Sequence, residues 1–267
     1  MSLFLAIAAL ALGAIVGSFL NVVIHRYPRG QSIVMPPSHC PHCSANIRPY
    51  DNVPLLSWLW LRGRCRACRE PIAARYPLVE LANGLLYLAV FQRTGPTWGF
   101  LVVAALVSML LALIYIDLEF QILPDVIDLP GIAIGLGIGA ANMGALYPDL
   151  LLSSTLFESV TGAVAGGGIL LAIGLSYKLI RKVEGMGLGD VKMMAMLGAI
   201  FGWEPLVPLL VLASVGGALT GVVVAAKSEE GFRVALPFGV FLGLAALVAL
   251  FFGHTLWELW LRLLLAG

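Results

Sequence analysis

The sequence MSLFLAIAALALGAIVGSFLNVVIHRYPRG, residues 1–30, places an unbroken apolar run ahead of its basic residues. No Lys or Arg precedes the run, whereas His25, Arg26 and Arg29 follow it. A cleaved secretory signal has the opposite order, with its positive charges first. This polarity predicts that residues 2–24 are a retained membrane-spanning helix whose C-terminal end lies in the cytoplasm.

The rest of the 267-residue chain has the same apolar character. Hydrophobic residues make up 60% of it and charged residues only 12%, with a mean hydropathy of +0.96. The net charge of +1 argues against a nucleic-acid-binding protein. We therefore expect an all-α polytopic membrane protein of about eight transmembrane helices. The expected spans are residues 2–24, 78–92, 98–116, 126–146, 157–180, 189–203, 206–226 and 236–253.

Lys and Arg concentrate in cytoplasmic loops of membrane proteins, so their positions test the orientation. With the N-terminus outside, the cytoplasmic segments are 25–77, 117–125, 178–192 and 227–235. Fourteen of the sixteen basic residues then fall on the cytoplasmic side, and only Arg93 and Arg262 do not. The pattern predicts a multi-pass protein with both termini outside.

This orientation divides the chain into four expected parts. Residues 1–24 form the first transmembrane helix, and residues 25–77 form an Arg-rich cytoplasmic domain. Residues 78–253 form the main transmembrane core. Residues 254–267 contain LWELWLRLLLA, which predicts an amphipathic helix on the outer membrane surface. A partly buried terminal helix is the alternative.

All four cysteines lie in the cytoplasmic segment, as Cys40-Pro-His-Cys43 and Cys65-Arg-Ala-Cys68. Two residues between thiolates allow one tight turn to present both sulfurs to a tetrahedral metal, so two such hooks predict a structural zinc site. Metal binding would also supply folding energy to a segment too short and polar to form a core. Thiol redox chemistry, disulfides and free thiols are the alternatives, and a reducing compartment disfavours disulfides. His39 and His42 adjoin the first hook and are interpreted as bystanders.

Acidic residues within membrane spans are costly, so they are candidates for function. Asp117 closes the apolar run LVSMLLALIYID, and Asp190 opens another after Gly187-Leu-Gly189. The topology places both at cytoplasmic ends of spans, where they can meet. Two adjacent carboxylates share a proton, so one can accept a proton from water while the other polarises a carbonyl. Capping of helix ends is the alternative, and it suits Asp125 and Asp128 well.

Other polar and small residues in the spans have simpler interpretations. Glu80 and Asn83 share a helix face and are expected to pack against polar partners, with substrate contact as the alternative. Lys192 is expected to be an interfacial lysine. The glycines of residues 131–144, together with Gly162, Gly166, Gly167 and Gly168, are expected to allow close helix packing.

Six motifs follow one another along the chain: GSFLNVVIHRYP (17–28), CPHC (40–43), DNVPLLSWLWLRGRCRAC (51–68), RYPLVEL (75–81), IDLEFQILPD (116–125) and GMGLGDVK (185–192). In this order they resemble the motifs of the type IV prepilin peptidases, a family of GxGD-type intramembrane aspartic proteases that also act as N-methyltransferases. The resemblance covers nearly the whole chain.

The resemblance implies an activity and assigns roles. Such enzymes of the bacterial inner membrane remove a short basic leader from type IV prepilins or type II secretion pseudopilins at the cytoplasmic face. They then methylate the new N-terminal amine with S-adenosylmethionine. On this sequence, Asp117 and Asp190 correspond to the catalytic pair, and Cys40, Cys43, Cys65 and Cys68 to the zinc ligands.

Two other functions are compatible with the sequence. A prepilin-type protease without methyltransferase activity is the nearer one, although the presence of the cysteine domain favours the bifunctional form. A non-enzymatic transporter with a zinc-bearing domain is the more distant one. It predicts acidic residues at the bilayer midplane and an internal repeat, whereas here the key acids lie at span ends.

Overall fold

Helices form the regular structure of the chain in a computed structural model that describes residues 3–183, 187–227 and 236–265. Within these ranges no strand is present, and only two isolated β-bridges occur. The all-helical prediction is therefore confirmed. Gly185 and Met186 of the glycine–aspartate motif, Arg233, and the last two residues of the chain lie outside the described residues.

Ten α-helices occur in the described ranges. They are α1 (Leu3–Arg26), α2 (Leu56–Trp60), α3 (Arg75–Thr94), α4 (Trp98–Phe120), α5 (Asp125–Ala140), α6 (Met143–Leu146), α7 (Leu156–Arg181), α8 (Leu188–Phe201), α9 (Leu206–Lys227) and α10 (Phe238–Leu265). Two single 3₁₀ turns, Tyr27–Arg29 and Pro49–Asp51, accompany them.

Five of these helices are long and apolar enough to cross a membrane, which supports the prediction of a polytopic membrane protein. They cover Leu3–Arg29, Trp98–Phe120, Leu156–Arg181, Leu206–Lys227 and Phe238–Arg262. Helices also form at the other three expected spans, as α3, α5 and α8. Of these, α5 has only 16 residues and α8 only 14, against the roughly 20 that a hydrocarbon core requires.

The chain divides into two units, Met1–Ala112 and Leu113–Gly267, with the boundary inside α4. In the first unit, α1 packs against α3 because small residues let the backbones approach. A methyl group at Gly13 would lie 2.7 Å from the Asn83 carbonyl oxygen, and one at Gly17 would lie 2.8 Å from the Glu80 Cα. Such close approach is typical of helix pairs in membranes.

In the second unit, α8 packs between α5 and α7 on the same principle. Gly162 and Gly198 face each other across α7 and α8 with no room for a side chain, and Gly135 of α5 contacts Ala199. The prediction of glycine-mediated packing is thus confirmed for Gly162. It is wrong for Gly137 and Gly168, because the position of an added methyl group there has no heavy atom within 4 Å.

The C-terminal segment does not form a separate helix. The helix α10 runs without a break from Phe238 to Leu265, through the expected boundary at residues 253 and 254. Within it Glu258 and Arg262 lie 3.8 Å apart, four residues along the helix. The placement of this end of α10 on a membrane surface stays a prediction.

Candidate functional site

Asp117 lies in the last turn of α4 and is buried, with 4% of its surface exposed. Its Oδ2 accepts a hydrogen bond of 2.9 Å from the backbone N–H of Val240, and the Gly239 N–H also points to this carboxylate. Both amides belong to the first turn of α10, and the N-terminus of a helix favours negative charge. Asp117 therefore caps the start of a helix that is distant in sequence. Capping was the alternative to its catalytic role, and the catalytic role stays a prediction.

Asp190 lies in the first turn of α8 and is partly buried. Gly187 is the N-cap residue of that helix, and its backbone N–H donates to the Asp190 carboxylate. A carboxylate at the third helical position that reaches back to the N-cap amide is one half of a capping box. This bond fixes the direction in which the Asp190 side chain leaves the helix.

The structure brings Asp117 and Asp190 close enough for their charges to interact, although 73 positions separate them in the sequence. Leu123 packs beside a glycine next to each end of this site: a methyl group at Gly189 would lie 2.9 Å from its Cβ, and one at Gly239 would lie 3.0 Å from its terminal carbons. The missing side chains at Gly189 and Gly239 therefore let α8 and α10 approach the segment that follows α4. Two carboxylates held in this way can divide the roles of general base and general acid.

The capping interpretation of Asp125 and Asp128 is wrong. Asp125 instead pairs with Lys192, whose Nζ lies 2.6 Å and 2.8 Å from its two carboxylate oxygens. Asp128 is fully buried and neither of its oxygens has a hydrogen-bond partner. Asp128 lies within electrostatic range of Asp125, Lys192 and Asp190, so it is near Asp190 without being hydrogen-bonded to it.

The sequence prediction missed the amides of Gly239 and Val240. The segment Leu236-Pro237-Phe238-Gly239 held a signal for them, since proline followed by an apolar run is typical of a helix start. A helix start provides unpaired N–H groups. The sequence does not indicate which carboxylate those groups would meet.

In the first unit, the four cysteines form one cluster. One sulfur from each of Cys40, Cys43, Cys65 and Cys68 lies within 4.8 Å of the others, and all four thiols are free. The Sγ atoms of Cys40 and Cys68 are 3.8 Å apart. Four sulfurs at zinc–sulfur distances of about 2.3 Å form a tetrahedron with edges of about 3.8 Å, so the donor set suits zinc.

The two hooks have the same local structure. Ser44 N–H bonds to the Cys40 carbonyl, and Arg69 N–H bonds equally to the Cys65 carbonyl. Each hook is closed by an antiparallel bridge, His39 to Asn46 and Arg64 to Pro71. Ser44 and Arg69, each directly after the second cysteine of its hook, have φ values of 56° and 64°. This turn, repeated in both hooks, presents the two thiols of each hook on one side, where they face the thiols of the other hook.

Local interactions favour the thiolate at only one cysteine of the second hook. Although the Glu70 backbone N–H lowers the pKa of the Cys68 thiol, burial and hydrogen bonds with the other cysteines raise it to about 12. The backbone N–H groups of Cys68 and Ala67 lower the pKa of the Cys65 thiol to about 6, which favours the thiolate that metals bind. The guanidinium of Arg66 forms a bidentate ion pair with the two carboxylate oxygens of Asp51, at 2.7 Å and 2.6 Å, and this bond lowers the pKa of the Asp51 carboxyl.

His39 hydrogen-bonds to the Pro37 carbonyl, in keeping with its interpretation as a bystander of the cysteine cluster.

Asn83 and Glu80 have polar partners inside the first unit. Asn83 Nδ2 donates to the Gly13 carbonyl at 2.7 Å and its Oδ1 accepts from Ser108, so the packing interpretation of Asn83 is confirmed. The Glu80 carboxylate accepts from the Leu55 backbone N–H at 2.8 Å. Glu80 thereby connects α3 to the segment that begins α2.

Comparison with known protein families gives two matches that together cover most of the chain. Residues 11–94 match the Bacterial Peptidase A24 N-terminal domain, and residues 104–222 match the Type IV leader peptidase family. The first match contains the cysteine cluster, and the second contains Asp117 and Asp190. No solved structure matches the chain.

Individual relatives are similar along nearly their full length. A prepilin leader peptidase/N-methyltransferase of Burkholderia pseudomallei is 39% identical over 92% of this chain and 84% of its own. The proteins of the same name from Aeromonas hydrophila and Stutzerimonas stutzeri are 38% and 39% identical. They cover 90% and 94% of this chain, and 88% and 91% of their own lengths.

Proposed function

Because the chain belongs to the type IV leader peptidase family, we propose that it is a bifunctional prepilin leader peptidase and N-methyltransferase. It removes the short basic leader of a type IV prepilin or a type II secretion pseudopilin. It then transfers a methyl group from S-adenosylmethionine to the new N-terminal amine. The observation that carries the proposal is the pair of buried and half-buried carboxylates, Asp117 and Asp190, held at the ends of α4 and α8.

Asp117 and Asp190 are the proposed catalytic dyad. The ionised member accepts a proton from a water molecule, and the protonated member donates a hydrogen bond to the scissile carbonyl as the water oxygen attacks. Breakdown of the tetrahedral intermediate transfers a proton to the leaving amine, which becomes the N-terminus to be methylated. The amides of Gly239 and Val240 hold Asp117 in place during these steps.

Cys40, Cys43, Cys65 and Cys68 are the proposed ligands of a structural zinc ion. The compatible sulfur spacing and the two equivalent hooks support this assignment. A zinc ion bound there would hold the two hooks together and supply folding energy to residues 25–77. We also propose the domain division predicted from the sequence, in which residues 25–77 bind zinc and residues 78–253 form the protease core.

The proposed topology has eight spans in the bacterial inner membrane, with both termini outside and residues 25–77 in the cytoplasm. The distribution of Lys and Arg supports this orientation. Three of the eight spans are then the shorter helices α3, α5 and α8. A cytoplasmic location of the dyad and the hooks would place both on the side where a basic leader is held.

Mass analysis of the reaction product tests the proposed function. The detergent-solubilised protein is mixed with a prepilin and S-adenosylmethionine, and the product mass is measured. Loss of the leader plus the mass of one methyl group is the expected result. Loss of the leader without methylation would reduce the function to a protease, and an unchanged substrate would contradict the proposal. Asp190→Ala is expected to leave the prepilin uncleaved.

A further inference from the structure

The short helix α2 carries an exposed apolar stripe. Leu56, Leu59 and Trp60 have exposed fractions of 65%, 64% and 84%. Their spacing of three and four residues places them on one face of the helix. An exposed apolar patch of this kind is typical of a surface that contacts a membrane or another protein, and tryptophan is enriched at membrane interfaces.

The opposite face of α2 is fixed to the rest of residues 25–77. The Ser57 hydroxyl donates to the Tyr50 carbonyl and accepts from the Val53 N–H, both at 3.0 Å. The Trp58 indole N–H donates to the Ile72 carbonyl at 3.3 Å. Because these bonds set the rotation of α2, the exposed stripe points away from the cysteine domain.

The depth of α2 follows from its connection to Glu80. The Leu55 N–H, at the start of α2, lies 2.8 Å from Glu80 Oε2, and the Glu80 backbone packs against Gly17 of α1. Gly17 precedes the end of α1 at Arg26 by nine residues, or about 13 Å of helix. A glutamate side chain and one hydrogen bond together are shorter than that distance. The beginning of α2 therefore does not reach the level of Arg26, and it lies beside the apolar part of α1.

We propose that α2 is embedded in the membrane–water interface, with Leu56, Leu59 and Trp60 inserted into lipid. The inference requires only that α1 crosses the bilayer, and it is independent of the proposed enzymatic activity. Arg62 and Arg64 follow the stripe directly and are exposed, which suits contact with lipid phosphates at the same level. Residues 25–77 are thereby held against the membrane surface at a third point, in addition to α1 and α3.

Lipid quenching of tryptophan fluorescence tests the location of Trp60. A protein that retains Trp60 together with Trp58, whose indole bond positions α2, has its other four tryptophans replaced by phenylalanine and is reconstituted into vesicles of phospholipid brominated near the top of the acyl chain. The same protein with Trp60→Phe gives the Trp58 background, which is subtracted. The matched control retains Trp58 and Trp98, which begins the candidate span α4 and is also exposed, and it is corrected for the same background. We expect Trp60 to lose at least as large a fraction of its fluorescence as Trp98, and to be protected from aqueous iodide.

A second measurement uses the unmodified protein in case the tryptophan-replaced variants fail to fold. A lipid with a photoreactive diazirine near its headgroup is activated, and the labelled peptides are identified by mass spectrometry. Label on residues 56–60, with none on Arg69 and Glu70 of the second hook, is the expected result. Iodide access to Trp60 without lipid quenching, or label confined to the long spans, would overturn the proposal. Trp60 emission that shifts only when an apolar peptide helix is added would overturn it too, in favour of a peptide-binding face.

Discussion

Asp117 and Val240 are 123 positions apart in the sequence, yet a hydrogen bond of 2.9 Å joins the carboxylate of one to the backbone N–H of the other. The bond connects the end of α4 to the start of α10 inside a buried environment. Asp117 therefore has two separable properties. Its carboxylate can take part in proton transfer, and it accepts a hydrogen bond from an N–H group at the start of α10.

Substitutions at Asp117 should separate these properties. Asp117→Asn keeps an oxygen that can accept from Val240, whereas Asp117→Ala leaves that N–H unpaired at a cost of about 1–3 kcal/mol in the free energy of unfolding. Both variants are expected to reduce prepilin cleavage by at least about 10²-fold, because both remove the carboxylate. Thermal unfolding in detergent and a cleavage assay on the same samples measure the two effects. Cleavage by Asp117→Asn at the wild-type rate would show that Asp117 is a cap alone.

Gly239→Ala should impair the site without removing any functional group. The added methyl group would lie 2.8 Å from Asp117 Oδ2 and 3.0 Å from the Leu123 side chain. We expect a loss of cleavage of about 10²-fold, since small displacements of a catalytic group have effects of this size. Gly216→Ala is the matched control, because its methyl group would lie 3.5 Å from Phe241, an ordinary contact. Equal activity of the two variants would contradict the assigned role of Gly239.

The sequence predicts most of what local pattern determines. The long apolar runs became helices, the two CxxC hooks came together, and Asn83 packs inward as its helix position indicated. The shorter helices are harder to predict from the sequence. α5 and α8 are too short to be recognised as spans by length, and they pack through close contacts at glycines.

Contacts between distant segments account for what the sequence did not predict. The Asp125–Lys192 ion pair joins residues 67 positions apart, and local reasoning therefore treated Asp125 as a cap of its own helix. The amides of Gly239 and Val240 meet Asp117 only after α4 and α10 have packed. A sequence pattern shows that a helix start exists but does not show its partner.

Asp128 should tolerate loss of its charge. Its two carboxylate oxygens are buried without hydrogen-bond partners, and an unpaired buried charge is destabilising. Asp128→Asn preserves the shape of the side chain without an ionisable group, so we expect an unfolding temperature equal to or above that of the wild type.

Asp125→Asn serves as the comparison for Asp128. It breaks an exposed ion pair with Lys192 and should lower stability by no more than about 1 kcal/mol. If Asp128→Asn proves clearly less stable than Asp125→Asn, the Asp128 carboxylate must have a strong partner in the folded protein.

Zinc binding should depend on all four cysteines and on neither neighbouring histidine. Cys43→Ser and Cys68→Ser each remove a thiolate from the cluster, and we expect purified variants to contain far less than the roughly one zinc per chain of a complete tetrahedral site. His42→Ala, a substitution in the same hook, is the matched control and should retain the metal. Metal content is measured by mass spectrometry after gel filtration. Limited proteolysis should then cut residues 25–77 faster in the cysteine variants, since the two hooks are no longer joined. A wild-type protein that contains no zinc, or a Cys68→Ser variant that retains it in full, would refute the assignment.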